Sequence, residues 1–338
     1  MGRQKQKLEW LELGRGSAAV AVFASHGSYA DVPFSIMSHI IVWGEWGVAF
    51  FFILSGFIIF YVHGRDINNP AQTSNFAGRR FLRIFPTYWL VLLGYVAFRH
   101  GFGIDLSWEF FAKQIFLLPG GRLFLPVAWT LRHELLFYIL FMLLILNLRI
   151  GVAAFAIWIT LILFALYTEG PKANIDRPAW DTLTSHLNLY FFYGMALARA
   201  CAAERTRAAL NISVVLALLA AIVVATIPGT EAMLELALCG CVVAAFVHLS
   251  INDLRAPPGS RWFGSVSYPL YLVHIPAFMV AQSILKRLPI INFGWPAAAV
   301  ITVVLAFAAA AVISRYFEKP ILRGQWRLYK LRAFNSRA

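Results

Sequence analysis

Charge is scarce in this chain. Asp, Glu, Lys and Arg make up 13% of its 338 residues, whereas soluble domains carry about 25%. Hydrophobic residues account for 60% and the mean hydropathy is +0.70. A water-soluble globule of this size has too little interior to hide so much apolar surface, which excludes that class and leaves a polytopic membrane protein. Cysteine is also rare. Cys201, Cys239 and Cys241 lie in or beside apolar segments without metal-ligand spacing, so they read as packing residues and no metal is expected. Nor is there an internal repeat, which leaves the inverted-repeat design of many transporters unsupported. Acidic residues are few, and the formal net charge is +13. That excess would suit nucleic acid, but the basic residues sit between apolar segments, so the lipid bilayer is the expected partner and nucleic acid is not.

Apolar stretches long enough to cross a bilayer occur at 10–29, 44–63, 82–99, 126–148, 150–167, 184–201, 209–228, 232–250, 262–285 and 296–317. The predicted fold is therefore all-α, a multi-pass membrane protein of ten transmembrane helices. The N-terminal stretch resembles a signal peptide, but Arg15 sits where its apolar core would begin, so a retained first helix is expected. Basic residues crowd into alternate connections, among them Arg79, Arg80 and Arg83, then Arg199, Arg205 and Arg207, then Arg255 and Arg261. The positive-inside rule then puts both termini in the cytoplasm. Residues 1–317 form one membrane domain and 318–338 a basic cytoplasmic tail. Of the outer loops, 100–125 carries the turn signal Pro119-Gly120-Gly121 and enough aromatic residues (Trp108, Phe110, Phe111, Phe116) to lie at the interface.

The densest charge is in GRRFLRIFPTYW, residues 78–89, where Arg79, Arg80 and Arg83 open an apolar helix. Three guanidiniums on about one turn either anchor the chain at the membrane surface or grip an anion such as a phosphate. In the first helix Arg15 and His26 are eleven residues apart, within about 20° on one face and roughly 16 Å along the axis. Glu134 is a carboxylate inside an apolar helix, where it must face a cavity or a partner. Arg132 or Arg15 can pair with it, Tyr138 follows on the same face, and Trp129 lies one turn nearer the outside, where it can also act as an interfacial anchor. In the ninth span Ser267, Tyr271 and His274 form a polar stripe on a helix loosened by Pro269 and Pro276. Ser55-Gly56 reads as a close-packing site rather than a nucleophile, since no G-x-S-x-G surrounds it.

Five of these stretches, in this order, resemble the integral-membrane acyltransferase 3 family: LELGRGSAAVAVFASH, GVAFFFILSGFII, FAGRRFLRIFPTYW, AWTLRHELLFY and GSVSYPLYLVHIP. The resemblance implies transfer of an acyl group, commonly acetyl, from cytoplasmic acyl-CoA (acetyl-CoA) to a hydroxyl of an extracytoplasmic polysaccharide or lipid-linked sugar, in a bacterial inner membrane. It gives His26 the catalytic place, as general base or as the group itself acylated, and gives Arg80 and Arg83 the handling of the donor. Arg15 and Arg79 are expected to help bind the donor. Glu134, Tyr138 and His274 are expected to orient the imidazole or stabilise an oxyanion. Trp129, Ser267 and Tyr271 would support the substrate. Two departures stand out. Many members carry an acidic residue where this chain has Ala49, with Glu45 one turn earlier, and no hydrolase-like domain is expected after the last helix, so any acceptor-processing partner would be a separate protein. The competing class is a proton-coupled transporter with His26, Glu134 and His274 as its relay.

Overall fold

The computed structural model describes residues 8–26, 34–101, 107–170, 179–203, 205–226, 231–252, 254–287 and 295–324. The basic residues before Leu8, the middle of the second outer loop (171–178) and most of the basic tail (325–338) lie outside the described residues. Backbone polar groups buried in lipid have no water to bond, so a chain this apolar must satisfy them within each segment, and helices do so. In order the helices are α1 (Glu9–His26), α2 (Phe34–His63), α3 (Thr73–His100), α4 (Trp108–Ile115), α5 (Trp129–Leu146), α6 (Leu148–Glu169), α7 (Ala179–Thr184), α8 (Leu189–Ala202), α9 (Thr206–Thr226), α10 (Glu231–Ile251), α11 (Ser260–Arg287) and α12 (Trp295–Ile313). No strand occurs among the described residues.

Every expected span coincides with a helix. Eight of them are long and apolar enough to cross a membrane, as expected of a multi-pass membrane protein. The other two fall short for physical reasons. Helix α1 has 18 residues and carries Glu9, Glu12 and Arg15. Helix α8 has only 14, because the chain enters the bundle there through α7 and a 3₁₀ turn, His186–Asn188. Side chains satisfy that broken entry: Asn188 Nδ2 donates to Thr182 O (2.9 Å) and Leu183 O (3.1 Å), and Trp158 Nε1 donates to Leu183 O (2.8 Å).

Helix α1 lies between α2 and α11, with α10 also against it. Helices α6, α9 and α12 are mostly exposed and present large aliphatic residues outward, including Ile157, Leu163, Leu218, Ile222 and Val304. The tightest seam joins α2 to α8. There a Cβ added to Gly56 would lie 2.1 Å from Phe191 O, and one on Gly194 would lie 1.9 Å from Ile53 O. The two glycines let the backbones approach on a face where small residues are favoured.

The loop before α5 is pinned rather than free. Ser107 caps α4, and the Gln114 side chain bridges Arg122 O and Phe124 N. Tyr88 and Trp89 of α3 donate to the carbonyls of Gln114 and Ile115. Gly120 (φ 96°) and Gly121 (φ 71°) make the turn that the Pro-Gly-Gly signal predicts, and α4 leaves Trp108 76% exposed, as an interface residue would be.

At the other end of the chain, the last helix runs past the expected boundary at 317. Ser314–Glu318 form a π-helical turn and the helix continues to Gly324. The turn has a cause in α11: Pro269 has no N–H to give Ser265 O, and Ser314 Oγ supplies that bond instead (2.9 Å).

Gly194→Ala is expected to cost about 1–3 kcal/mol, because the methyl meets backbone atoms that cannot swing away. Gly78→Ala, with open space around it, is expected to hold or gain stability by up to about 1 kcal/mol. Thermal unfolding of the detergent-solubilised variants measures both.

Candidate functional site

Two adjoining cavities run through the middle of the bundle. The inner chamber, about 200 Å³, is walled by α1, α2, α3, α5 and α11, and its polar lining is Arg15, Ser55, Arg80, Arg83, Thr130, Glu134, Tyr138, Tyr268 and Tyr271. The second, about 390 Å³, is a vestibule between the start of α1, the start of α11 and the end of the last helix, with Glu9, Glu12, Arg261, Glu318 and Lys319 in its wall. Arg15 and Arg83 line both, so the two spaces meet at these guanidiniums.

Each chamber arginine is held by a different device. Arg15 pairs with Glu12 one turn away (3.2 Å). Arg80 donates from Nη2 to His63 Nε2 (3.3 Å), and His63 Nδ1 donates to Asp66 Oδ2 (2.7 Å). An arginine can only donate, so His63 must carry its proton on Nδ1, and the acid reaches Arg80 only through the ring. Phe76 and Tyr138 lie under the Arg80 guanidinium, 5.7 and 5.6 Å from its carbon. Its buried Nε has no hydrogen-bond partner among the described residues. Arg83 pairs with Glu318 and stacks on Tyr268 at 5.2 Å. Tyr268 in turn donates to Ile84 O (2.8 Å), tying α11 to α3 beside the arginines.

Glu134 faces this chamber rather than a salt bridge. Its Oε1 accepts from Ser55 Oγ (3.0 Å) and from the Tyr138 hydroxyl. Arg132, the pairing partner suggested by adjacency, turns away and donates to Gly121 O (3.0 Å) and Gly120 O (3.3 Å). Its neighbour His133 is spent on Asn188 Oδ1 (2.9 Å). With three guanidiniums and one carboxylate, the chamber is a positive site suited to an anionic or carbonyl-bearing guest.

Not every expected residue reaches it. Tyr271 forms the far wall, its hydroxyl donating to Val127 O (2.7 Å) and lying 2.8 Å from Thr130 Oγ1. His26 and His274 lie beyond that wall, outside the chamber lining. Their rings are 5.1 Å apart, and the His274 ring is 6.0 Å from that of Tyr271. Although Arg15 and His26 share a face of α1, Arg15 lines the chamber and His26 does not. Ser267 is fully buried and donates to Gly264 O (2.7 Å) within its own helix. Trp129 packs on Phe52 and His133, and Arg79 lines neither cavity. Ala49 is wholly buried and Glu45 is exposed.

Sequence reasoning missed several members of the site. Glu318 was expected in a basic tail, yet it is buried against Arg83; the one acid amid SRYFEKP was the available signal. Ser55 was read as a packing residue, and its hydroxyl belongs to Glu134 while the neighbouring glycine does the packing. The His63–Asp66 brace is a short-range pair whose meaning appears only once Arg80 stands beside it.

An acyltransferase-domain family model, acyltransferase 3, matches residues 8–315. No curated protein and no solved structure matches the chain.

Removing one partner of a largely buried ion pair commonly costs about 3–5 kcal/mol, whereas replacing both with apolar groups costs far less. Glu318→Leu is therefore expected to destabilise the protein more than the Arg83→Met/Glu318→Leu double variant does. Thermal unfolding of the full double-mutant cycle should return a coupling of about 1–3 kcal/mol.

Proposed function

Because the chain belongs to the acyltransferase 3 family, we propose that it transfers a short acyl group, acetyl in the first instance, from cytoplasmic acyl-CoA to a hydroxyl of an extracytoplasmic polysaccharide or lipid-linked sugar. In this reading it resides in a bacterial inner membrane, crosses it ten times and keeps both ends in the cytoplasm. The vestibule and the arginines then open inward, and His26 and His274 lie toward the outside.

The observation that carries the reading is the positive chamber itself, in which Arg15, Arg80 and Arg83 converge on Glu134. Guanidiniums suit phosphate and carbonyl oxygens, and a buried Arg80 Nε without a partner is a donor awaiting one. Sites for drug-sized ligands usually measure about 300–1,000 Å³, so a chamber of about 200 Å³ admits only the reactive end of the donor. The charged nucleotide end is assigned to the vestibule, where Arg83 and Arg261 must exchange Glu318 and Glu9 for its phosphates and Lys319 adds a further cation. Bound there, the coenzyme supplies a thioester with a good leaving group.

This chain's residues supply the rest. His26 Nδ1 donates to Val22 O (2.9 Å), which leaves the lone pair on Nε2. That nitrogen takes the proton of the attacking hydroxyl as general base. Tyr271 must swing aside for donor and acceptor to meet, which breaks its bonds to Val127 and Thr130. Glu134, held by Ser55 and Tyr138, offsets the mutual repulsion of the arginines that share the chamber lining.

Membranes containing the protein, labelled acetyl-CoA and extracted polysaccharide are expected to yield alkali-labile label, and His26→Ala to abolish it. Arg80→Glu should raise the KM for the donor at least about tenfold and leave that for the acceptor nearly unchanged. Label without His26 would remove it from the chemistry, and an unchanged donor KM would make the arginines mere anchors. Proton-driven substrate movement indifferent to CoA would indicate a transporter instead.

A further inference from the structure

His274 is 1% exposed, and its Nδ1 donates to Tyr271 O (2.7 Å). A carbonyl can only accept, so the proton is on Nδ1 and Nε2 carries a lone pair. That Nε2 is buried and has no hydrogen-bond partner among the described residues. Buried polar atoms are almost always paired, so an orphan calls for an explanation. The neighbouring ring is that of His26, 5.1 Å away and tilted by 57°. At that separation an N–H···N bond of about 2.9 Å forms once the two nitrogens face each other. Phe23 packs edge-on against His274 from α1.

We infer that His274 is the positioning partner of His26, its free Nε2 accepting the N–H that His26 gains when it takes a proton from the acceptor hydroxyl. The inference rests on the reading of His26 as general base. In that step the hydroxyl oxygen forms the new C–O bond, the thioester C–S bond breaks, and the hydroxyl proton passes to His26 Nε2. A thiolate with a pKa near that of cysteine, about 8.5, departs without needing the proton at once. Once the ester has formed, the His26 ring turns so that its new Nε2–H meets His274 Nε2, and the shared proton later passes to the thiolate or to water. Among the described residues, no other charged group near His274 takes this part. Tyr271 on the same helix has its hydroxyl engaged by Val127 and Thr130. From α3, Tyr95 and Arg99 meet α11 at Met279, more than one turn on. Helix α12 has no titratable side chain, and the charges of the π-helical turn lie at the arginine end.

Two substitutions separate positioning from packing. His274→Gln keeps an acceptor oxygen near the place of Nε2, whereas His274→Phe keeps the ring and loses both nitrogens. The expected result is a kcat within about tenfold of the parent for Gln and about 100-fold lower for Phe, with the KM of donor and acceptor unchanged in both. Thermal unfolding is expected to run the other way, with Phe at least as stable as Gln, because a buried amide is harder to satisfy than a ring. If His274→Phe does not fold, His274→Met takes its place as the apolar variant. A kcat for the apolar variant equal to or above that of Gln, or a loss carried by KM, overturns the inference. Activity surviving in His26→Ala overturns the base reading instead, whatever His274 does.

Discussion

The structure depends on keeping guanidiniums in an apolar bundle. A charge taken out of water must be paired or hydrogen-bonded, and at membrane depth the alternatives are few. The bundle meets this requirement with a separate device for each arginine: a carboxylate one turn away for Arg15, a histidine backed by an aspartate for Arg80, and an acid from the last helix for Arg83. The second device is the weakest neutraliser, because an imidazole separates the guanidinium from the acid. Of the three, Arg80 is therefore held in place with the most of its charge left for a guest.

Those pairings dictate how the outer elements lie. For Glu318 to reach Arg83, the last helix must deliver it to a helix that is far away in sequence, and the π-helical turn sets the angle. That turn is fastened by Ser314 to the carbonyl that Pro269 leaves bare. The same proline lies next to Tyr268, which stacks on Arg83 and donates to α3. A break in one helix, an extra residue in the turn of another and a cation at the centre thus form one connected arrangement. Proline in a membrane helix is tolerated when neighbours re-satisfy the backbone, and here the neighbour also carries the counter-ion.

Much of this was legible in the sequence, and the remainder was hidden for identifiable reasons. Apolar length locates every described α-helix except the short α4 and α7, because the bilayer imposes a minimum run that few other folds require. Residues with an energetic motive to be inside, such as Glu134, Arg80 and Arg83, could be singled out by cost alone. The Pro-Gly-Gly turn followed from backbone preference. What spacing could not reveal was direction. Arg132 and Glu134 are two residues apart and so point to opposite sides of α5, which sends the arginine to the loop carbonyls and the acid to the chamber. Ser267 shares a stripe with Tyr271, but its short hydroxyl is satisfied by its own helix. Pairings across long sequence separation, Ser55 with Glu134 and Arg83 with Glu318, have no local signature at all.

A tyrosine wall at the end of the chamber has a physical logic under the proposed transfer of a group across the membrane. An activated ester exposed to water on its way is hydrolysed, so a dry compartment protects it. The inner chamber has an apolar lining from Phe51, Phe52, Leu54 and Ile58, arginines at one end and a tyrosine held by two hydrogen bonds at the other. Those two bonds are each worth about 1 kcal/mol net, strong enough to keep the wall shut in the resting bundle and weak enough to yield when a ligand binds better with it open. A helix crossing filled with a single rigid plug would lack that property. Tyr271 thus stands between the chamber arginines and the His26–His274 pair, held by two hydrogen bonds.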